Sequence, residues 1–154
     1  MRKITINLRD IIFYGRCYPT PQTYGSKARN ASVDTPIYSE KWFFIQTKEI
    51  MLLNDLIQQE VCTNENKDMI LPQLGYIRLF EVDIIALEKL FIQSLNDRKT
   101  SNFFGSIPDE KYDGEFNKFI EPFLIHRWIN YEKEVLKKEA IAWCTQNHIV
   151  WSDK

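Results

Sequence analysis

The sequence contains few of the residues from which metal sites and disulfide frameworks are built. Its 154 residues include three cysteines and two histidines, and Cys17, Cys62 and Cys144 lie far apart with no C-x-x-C pair. Disulfide-rich domains and zinc ribbons need closely spaced cysteines, so this spacing argues against both classes. We therefore expect reduced thiols, no resident metal and a cytoplasmic location.

Signatures of the common cofactor folds and of membrane insertion are also missing. There is no G-x-G-x-x-G, P-loop or G-x-S-x-G motif to indicate a nucleotide site or a serine hydrolase. The N-terminal segment has no apolar stretch of signal-peptide length, and no window approaches the roughly 20 apolar residues of a membrane span. We expect a protein without a cofactor that has no contact with the membrane.

Charge is nearly balanced overall but unevenly distributed. The net charge is −1, which removes the electrostatic attraction that general nucleic-acid binders show. Residues 1–41 contain seven Lys or Arg against three Asp or Glu, a net +4, whereas residues 42–154 contain 13 against 18, a net −5. Four Trp, seven Tyr and ten Phe must largely be packed, and residues 1–154 are long enough to form one domain around them.

Hydrophobic periodicity in the first half of the chain predicts strands, one helix and a long loop. The loop contains several prolines and almost no aliphatic residue, and a loop of such length is typical of functional or disordered segments. The predicted elements are a strand over 4–8, a helical turn over 10–14, the loop over 15–36, a strand over 37–46 and a helix from Thr47 to Val61.

The second half has clearer helical signals. Asp83 is a good N-cap, Asn147 suits a left-handed helix stop, and Glu132 is among the charged residues expected on the solvent side of the last helix. The predicted fold is α+β, with a small antiparallel sheet packed on three or four helices. The predicted elements are a strand over 76–82, a helix over 83–95, a connector over 98–114, a brief helix over 115–121, a long C-terminal helix over 127–146 and an edge strand over 149–151.

An ordered set of short segments covers about half the chain, from Tyr76 to Trp151. These segments are Tyr76-Ile-Arg-Leu, Glu81-Val-Asp83, Phe91-Ile-Gln-Ser-Leu95, Phe116-Asn-Lys-Phe119, Trp128-Ile-Asn-Tyr131, Ala140-Ile-Ala-Trp143 and Asn147-His-Ile149. In this order they resemble the bacterial Uncharacterised Protein Family 0158. Nearly all the matching positions are apolar or aromatic, so the resemblance implies a shared core and helix order. It implies no catalytic residue, substrate or cofactor, and the basic, proline-bearing front loop departs from the family's pattern.

Two cysteines are candidates for chemistry. Cys144 and His148 stand four residues apart at a helix end, the spacing that allows two side chains to reach one metal ion. A zinc site needs three or four ligands, and a nucleophilic cysteine needs an accessible thiol with a lowered pKa. The alternative for Cys144, and for Cys17 in the loop, is a packed thiol, so we assign no metal ligand and no catalytic residue.

An enzyme site assembled from distant residues is an alternative reading. Asp109, Glu110, Asp113 and Glu115 cluster in the sequence, and carboxyl pairs can serve acid and base roles. Together with His126, three of them (Asp109, Asp113 and Glu115) could surround a cleft. A solvated acidic turn is the simpler interpretation, because the spacing does not match a calcium-binding loop.

The front loop interleaves aromatic rings with cations, a pattern that suits a protein partner or a single-stranded nucleic acid. A merely mobile loop is the third interpretation. With no catalytic constellation in view, we expect a small non-enzymatic intracellular protein that binds a protein partner, of which immunity and antitoxin proteins are one form. An enzyme, or nucleic-acid binding through residues 14–29, remains the alternative. The candidate partner-binding residues are Tyr14, Arg16, Tyr18, Tyr24, Lys27 and Arg29.

Overall fold

The computed structural model describes residues 3–18, 23–24, 27–28 and 40–153, with the two short pairs described as backbone only. In these residues the fold is α+β, as predicted, and its strands form small sheets of two or three. The strands are β1 (Ile4–Asn7), β2 (Arg16–Cys17), β3 (Thr23–Tyr24), β4 (Lys27–Ala28), β5 (Lys41–Phe44), β6 (Glu49–Leu52), β7 (Tyr76–Arg78), β8 (Val82–Asp83) and β9 (Ile149–Ser152).

The largest sheet is antiparallel, with the strand order β6–β5–β7. Successive side chains of a strand point to opposite faces, and the central strand β5 uses this to join two apolar clusters. Phe43 lies in the main core, whereas its neighbour Trp42 packs in a smaller cluster with Leu56 and Leu71. The sheet therefore connects the two clusters.

Two further strand pairs are parallel and were not predicted. β1 pairs with β9 in the register Ile4↔Ile149, and β2 pairs with β8 in the register Arg16↔Val82. Parallel strands need a long crossover connection, so both pairs join segments that are distant in the sequence. The predicted strand over 76–82 is therefore two strands, because β7 pairs with β5 whereas β8 pairs with β2.

Helices supply most of the main core. Two short 3₁₀ helices, Leu8–Asp10 and Ile12–Gly15, agree with the predicted helical turn. No helix in the described part of the chain has the length and apolarity to cross a bilayer. The α-helices are α1 (Leu53–Gln58), α2 (Lys67–Gln73), α3 (Ile84–Ser94), α4 (Arg98–Gly105), α5 (Asp109–Ile120) and α6 (Ile125–Gln146).

One of the two helix ends predicted from the sequence is confirmed by the structure, and the other is displaced by one residue. Asp83 caps α3 as predicted, because its Oδ1 accepts a hydrogen bond of 3.1 Å from the Ala86 backbone N–H. The predicted stop at Asn147 is wrong by one residue. Asn147 has φ −103°, and the left-handed conformation falls on His148, with φ 58°.

Two other predictions of helix boundaries are wrong. The segment from Thr47 to Val61 is not one helix, because residues 49–52 pair with β5 as strand β6 and only α1 is helical. The predicted connector over 98–114 contains α4 and the first half of α5. Residues 106–108 separate these two helices, so Gly105 at the end of α4 and Pro108 at the N-cap of α5 mark helix ends rather than a long loop.

Aromatic side chains from α3, α5 and α6 meet in the main core. Phe91 and Phe116 pack edge to face against Trp128, with ring centroids 5.4 and 4.7 Å from the Trp128 ring. Trp143 packs in the same way on Phe43 of β5, at 5.4 Å. The long helix α6 therefore braces the sheet and the other helices, as predicted.

Candidate functional site

The segment that follows the second 3₁₀ helix is held against the helices. Arg16 and Cys17 form β2, and Tyr18 is buried immediately after it. Gly15 lets the backbone pass close to the Phe80 ring, because a Cβ atom at position 15 would lie 2.1 Å from Phe80 Cε2. We call residues 16–18 the anchored segment.

Three carboxyl groups lie beneath the anchored segment, one from each of three helices. Glu88 comes from α3, Asp113 from α5 and Glu132 from α6, and their exposed fractions are 1, 2 and 7 %. Burial of ionisable groups to this extent is rare unless they are paired or protonated. We call these three residues the carboxyl cluster.

The anchored segment contacts the carboxyl cluster through two side chains. The Tyr18 hydroxyl donates a hydrogen bond of 3.3 Å to Asp113 Oδ1, and Arg16 Nη2 donates one of 3.2 Å to the Tyr18 hydroxyl. Arg16 Nε also lies 3.3 Å from Glu132 Oε2, as an ion pair. These contacts fix the anchored segment to α5 and α6.

Not every polar atom of this arrangement has a hydrogen bond. Arg16 Nε, Glu88 Oε1 and Glu132 Oε2 are buried and have no hydrogen-bond partner among the described residues. The Arg16–Glu132 contact is therefore electrostatic rather than an aligned hydrogen bond. Buried polar atoms without hydrogen bonds destabilise the folded state. In the described core, such side-chain atoms are concentrated at this arrangement.

The pKa values of two members of the carboxyl cluster are raised, chiefly by burial. Burial raises the pKa of Glu88 to about 11, and a hydrogen bond and negative charge from Asp113 act in the same direction. Burial also raises the pKa of Glu132, whereas the charge of Arg16 opposes that rise. Because burial disfavours the charged form, Glu88 is a neutral carboxylic acid at pH 7.

A second buried polar group contacts the backbone of β2. Lys41 is buried, and its Nζ donates a hydrogen bond of 3.4 Å to the Arg16 carbonyl oxygen. Burial lowers the pKa of Lys41, and it raises the pKa of Cys17 to about 11, with Glu81 acting in the same direction. The Cys17 thiol is therefore protonated at neutral pH, and a thiol in that state is a poor nucleophile.

The residues predicted to bind a partner lie in different surroundings in the structure. Tyr14 is half-exposed, like the adjacent Phe13, whereas Arg16 and Tyr18 point inward to the carboxyl cluster. Tyr24 belongs to β3 and Lys27 to β4, which pair as an antiparallel hairpin, and β3 contacts α5. Arg29 lies outside the described residues, as does most of the predicted loop over 15–36.

The candidate metal pair does not form a site in the structure. Cys144 is fully buried, and burial raises its pKa to about 11, whereas His148 is exposed after the end of α6. No group of three or more His, Cys, Asp or Glu side chains in the described part of the chain is arranged to hold a metal ion. Cys144 is thus a packed thiol.

The residues of the alternative enzyme site also point to different places. Asp109 Oδ1 pairs with Lys89 Nζ at 2.7 Å, and Glu115 pairs with Lys118 on the surface of α5. His126 is exposed in the first turn of α6. Of this set, Asp113 alone belongs to the carboxyl cluster.

Glu88 and Glu132 were missed by sequence reasoning, and the prediction that Glu132 faces solvent is wrong. A signal was present in both helices. Trp128, Glu132 and Leu136 stand four residues apart on one face, and Glu88 follows Ile84 by four residues and precedes Phe91 by three. A charged residue in register with an apolar stripe is a candidate for burial.

No protein-family model, curated protein or solved structure matches this chain. The resemblance to Uncharacterised Protein Family 0158, and the bacterial origin that it implies, therefore remain predictions.

Proposed function

We propose that this chain is a small intracellular protein-binding domain that contacts its partner through the surface in front of the anchored segment. The observation that carries the proposal is the change in exposure along residues 13–18. Phe13 and Tyr14 are 50 and 48 % exposed, whereas Tyr18, four residues later, is buried. The chain therefore presents two aromatic rings from a backbone that is fixed immediately behind them.

Such an arrangement favours binding energetically. Aromatic side chains, tyrosine above all, supply much of the affinity in protein interfaces. A contact residue on a fixed backbone loses less conformational entropy on binding than one on a flexible chain. The second 3₁₀ helix, which carries both rings, packs against α6, so its orientation is supported by the longest helix of the domain.

Charge indicates the type of partner. Residues 1–41 have a net charge of +4 by sequence, although Arg16 and Lys41 contribute their charges to inward contacts. A basic segment next to exposed rings suits a partner with an acidic surface. Proteins that neutralise another protein by direct binding, as immunity and antitoxin proteins do, are one form that this function would take.

The test combines affinity capture with measured affinities for the captured protein. The wild-type chain and the double variant Phe13→Ser, Tyr14→Ser are used as baits in native cell extract at moderate salt. We expect the wild type to enrich a protein that the variant does not, and Kd of the purified pair to rise at least tenfold in the variant, equivalent to about 1.4 kcal/mol.

Phe123→Ser provides a matched control, because Phe123 is 94 % exposed in the turn between α5 and α6. It also removes an exposed ring, and we expect its Kd to equal that of the wild type. Absence of any enriched protein, or equal loss in both variants, would contradict the proposal. Enrichment of nucleic acid, with affinity falling steeply as salt rises, would support the alternative function instead.

A further inference from the structure

The carboxyl cluster has more negative groups than the cation that contacts it can balance. Glu132 pairs with Arg16, and Asp113 is linked to Arg16 through the Tyr18 hydroxyl. Full ionisation of Glu88, Asp113 and Glu132 beside this one cation would leave a net charge of −2 in a buried space. Among the described residues, the Tyr18 hydroxyl contacts the cluster. Tyr112 also interacts with Glu88, and burial raises the pKa of Tyr112 to about 12. Lys89 and Asp109 pair with each other outside it.

The surroundings of Glu88 indicate how the charge is reduced. Glu88 is 1 % exposed, and its Oε1 is buried without a hydrogen-bond partner among the described residues. By contrast, Asp113 accepts a hydrogen bond from Tyr18, and Glu132 pairs with Arg16. An ionised carboxylate needs such contacts when it is buried, so the proton belongs on Glu88.

We propose that the carboxyl cluster is a proton-binding site, and that a proton on Glu88 is required for the anchored segment to stay docked on the helices. Removal of the proton adds a negative charge to a buried space that already holds the carboxyl groups of Asp113 and Glu132. The resulting repulsion is relieved when residues 16–18 move out and water enters. Docking therefore takes up one proton, and undocking releases it.

The sign of the pH effect follows from this coupling. Glu88 keeps its proton when the segment is docked and loses it when the segment is open, so the docked state binds more protons. Docking weakens as pH rises, and the opening constant increases about tenfold per pH unit for one proton. The raised pKa of Glu88 is consistent with this direction. The proton site does not rest on the proposed function.

The first experiment detects the proton by infrared spectroscopy of the full chain at pH 7. We expect an absorption band of a protonated carboxyl group that shifts in D₂O and is missing in Glu88→Gln. Glu134→Gln on the exposed side of α6 is the control, and its spectrum should retain the band. Loss of the band in the control, or no difference between wild type and Glu88→Gln, would overturn the assignment.

The second experiment measures docking through the Cys17 thiol, which lies within the anchored segment. The rate of Cys17 alkylation, located by mass spectrometry, is measured from pH 6 to pH 9 for the wild type and Glu88→Gln. Because both chains contain the same thiol, their rate ratio cancels its ionisation. We expect the ratio of wild type to variant to rise with pH, by up to tenfold per unit, and a flat ratio would overturn the coupling.

Glu88→Met keeps the test decisive if Glu88→Gln does not fold. This variant removes the same carboxyl group and keeps an unbranched side chain of similar size, so it should abolish the protonated band and the pH dependence of the ratio. Retention of both in folded Glu88→Met would refute the proton site. No partner protein is used in these measurements, so failure of the proposed binding function leaves their outcome unchanged.

Discussion

The Tyr18 hydroxyl donates a hydrogen bond to Asp113 Oδ1, although the two residues are separated by 95 positions in the chain. Tyr18 follows a strand near the N-terminal end, and Asp113 lies in the middle of α5. The contact is buried, and Arg16 beside it pairs with Glu132 of α6. Arg16 and Tyr18 thus tie the anchored segment to two helices.

Replacement of Tyr18 by Phe should destabilise the fold. The substitution removes the hydrogen bond to the buried Asp113 carboxyl and the one that Arg16 donates to the hydroxyl. We therefore expect a loss of about 1–3 kcal/mol in the free energy of unfolding. Urea denaturation measures it. Tyr14→Phe, at a half-exposed position, should change the same quantity by less than about 0.5 kcal/mol. Equal effects of the two variants would show that the Tyr18 hydroxyl does not stabilise the fold.

The Arg16–Glu132 pair should show energetic coupling in a double-mutant cycle. Arg16→Met leaves the buried Glu132 without its cation, and because Arg16 is itself a third exposed, we expect a loss of only about 1–3 kcal/mol. Adding Glu132→Gln should cost less than the sum of the single losses. The surface pair Lys118–Glu115, treated in the same way, should give coupling below about 0.5 kcal/mol. Additive losses at both pairs would contradict this prediction.

Gly15→Ala should lower the melting temperature, because the new methyl group would overlap the Phe80 ring. We expect a loss of about 1–3 kcal/mol, as for other overpacked sites. The matched variant Gly105→Ala adds a methyl group with no neighbour within 4 Å at the last residue of α4. Its effect should be neutral or stabilising by up to about 1 kcal/mol. Calorimetry that ranks the two variants in the opposite order would refute the close approach at Gly15.

The Cys144 thiol should be unreactive in the folded protein. Burial raises its pKa from 9.0 to about 11, which reduces the thiolate fraction about 100-fold at pH 8, and the side chain is fully enclosed. Alkylation at Cys144 should therefore be at least 100-fold slower in native buffer than in urea, as followed by mass spectrometry. Comparable rates in the two conditions would mean that the thiol is accessible, contrary to a packing role.

Elements with strong local signals were predicted well. The cap at Asp83 and the apolar stripe after it define α3, and a drifting apolar face defines α6. In both helices the relevant interactions lie within four residues along the chain. Such interactions can be inferred from spacing alone.

Elements that depend on distant pairing were predicted poorly. Residues 49–52 have spacing compatible with a helix, but they form β6 because β5 offers hydrogen-bonding partners across a short turn. In the region 98–114, Gly105 and Pro108 suggest a loop when they are read singly. They instead lie at the end of α4 and at the N-cap of α5.

The sequence by itself determined the α+β class, the long C-terminal helix and the need to pack many aromatic rings, because periodicity and composition report these directly. Only the tertiary structure decided that Glu88, Asp113 and Glu132 share one buried space beneath Arg16 and Tyr18. Four of these five side chains, all except Tyr18, are charged types that predict solvent exposure when each is considered alone. Their burial is decided by mutual contacts between segments up to 116 positions apart, from Arg16 to Glu132, and a single sequence does not specify which distant charges will meet.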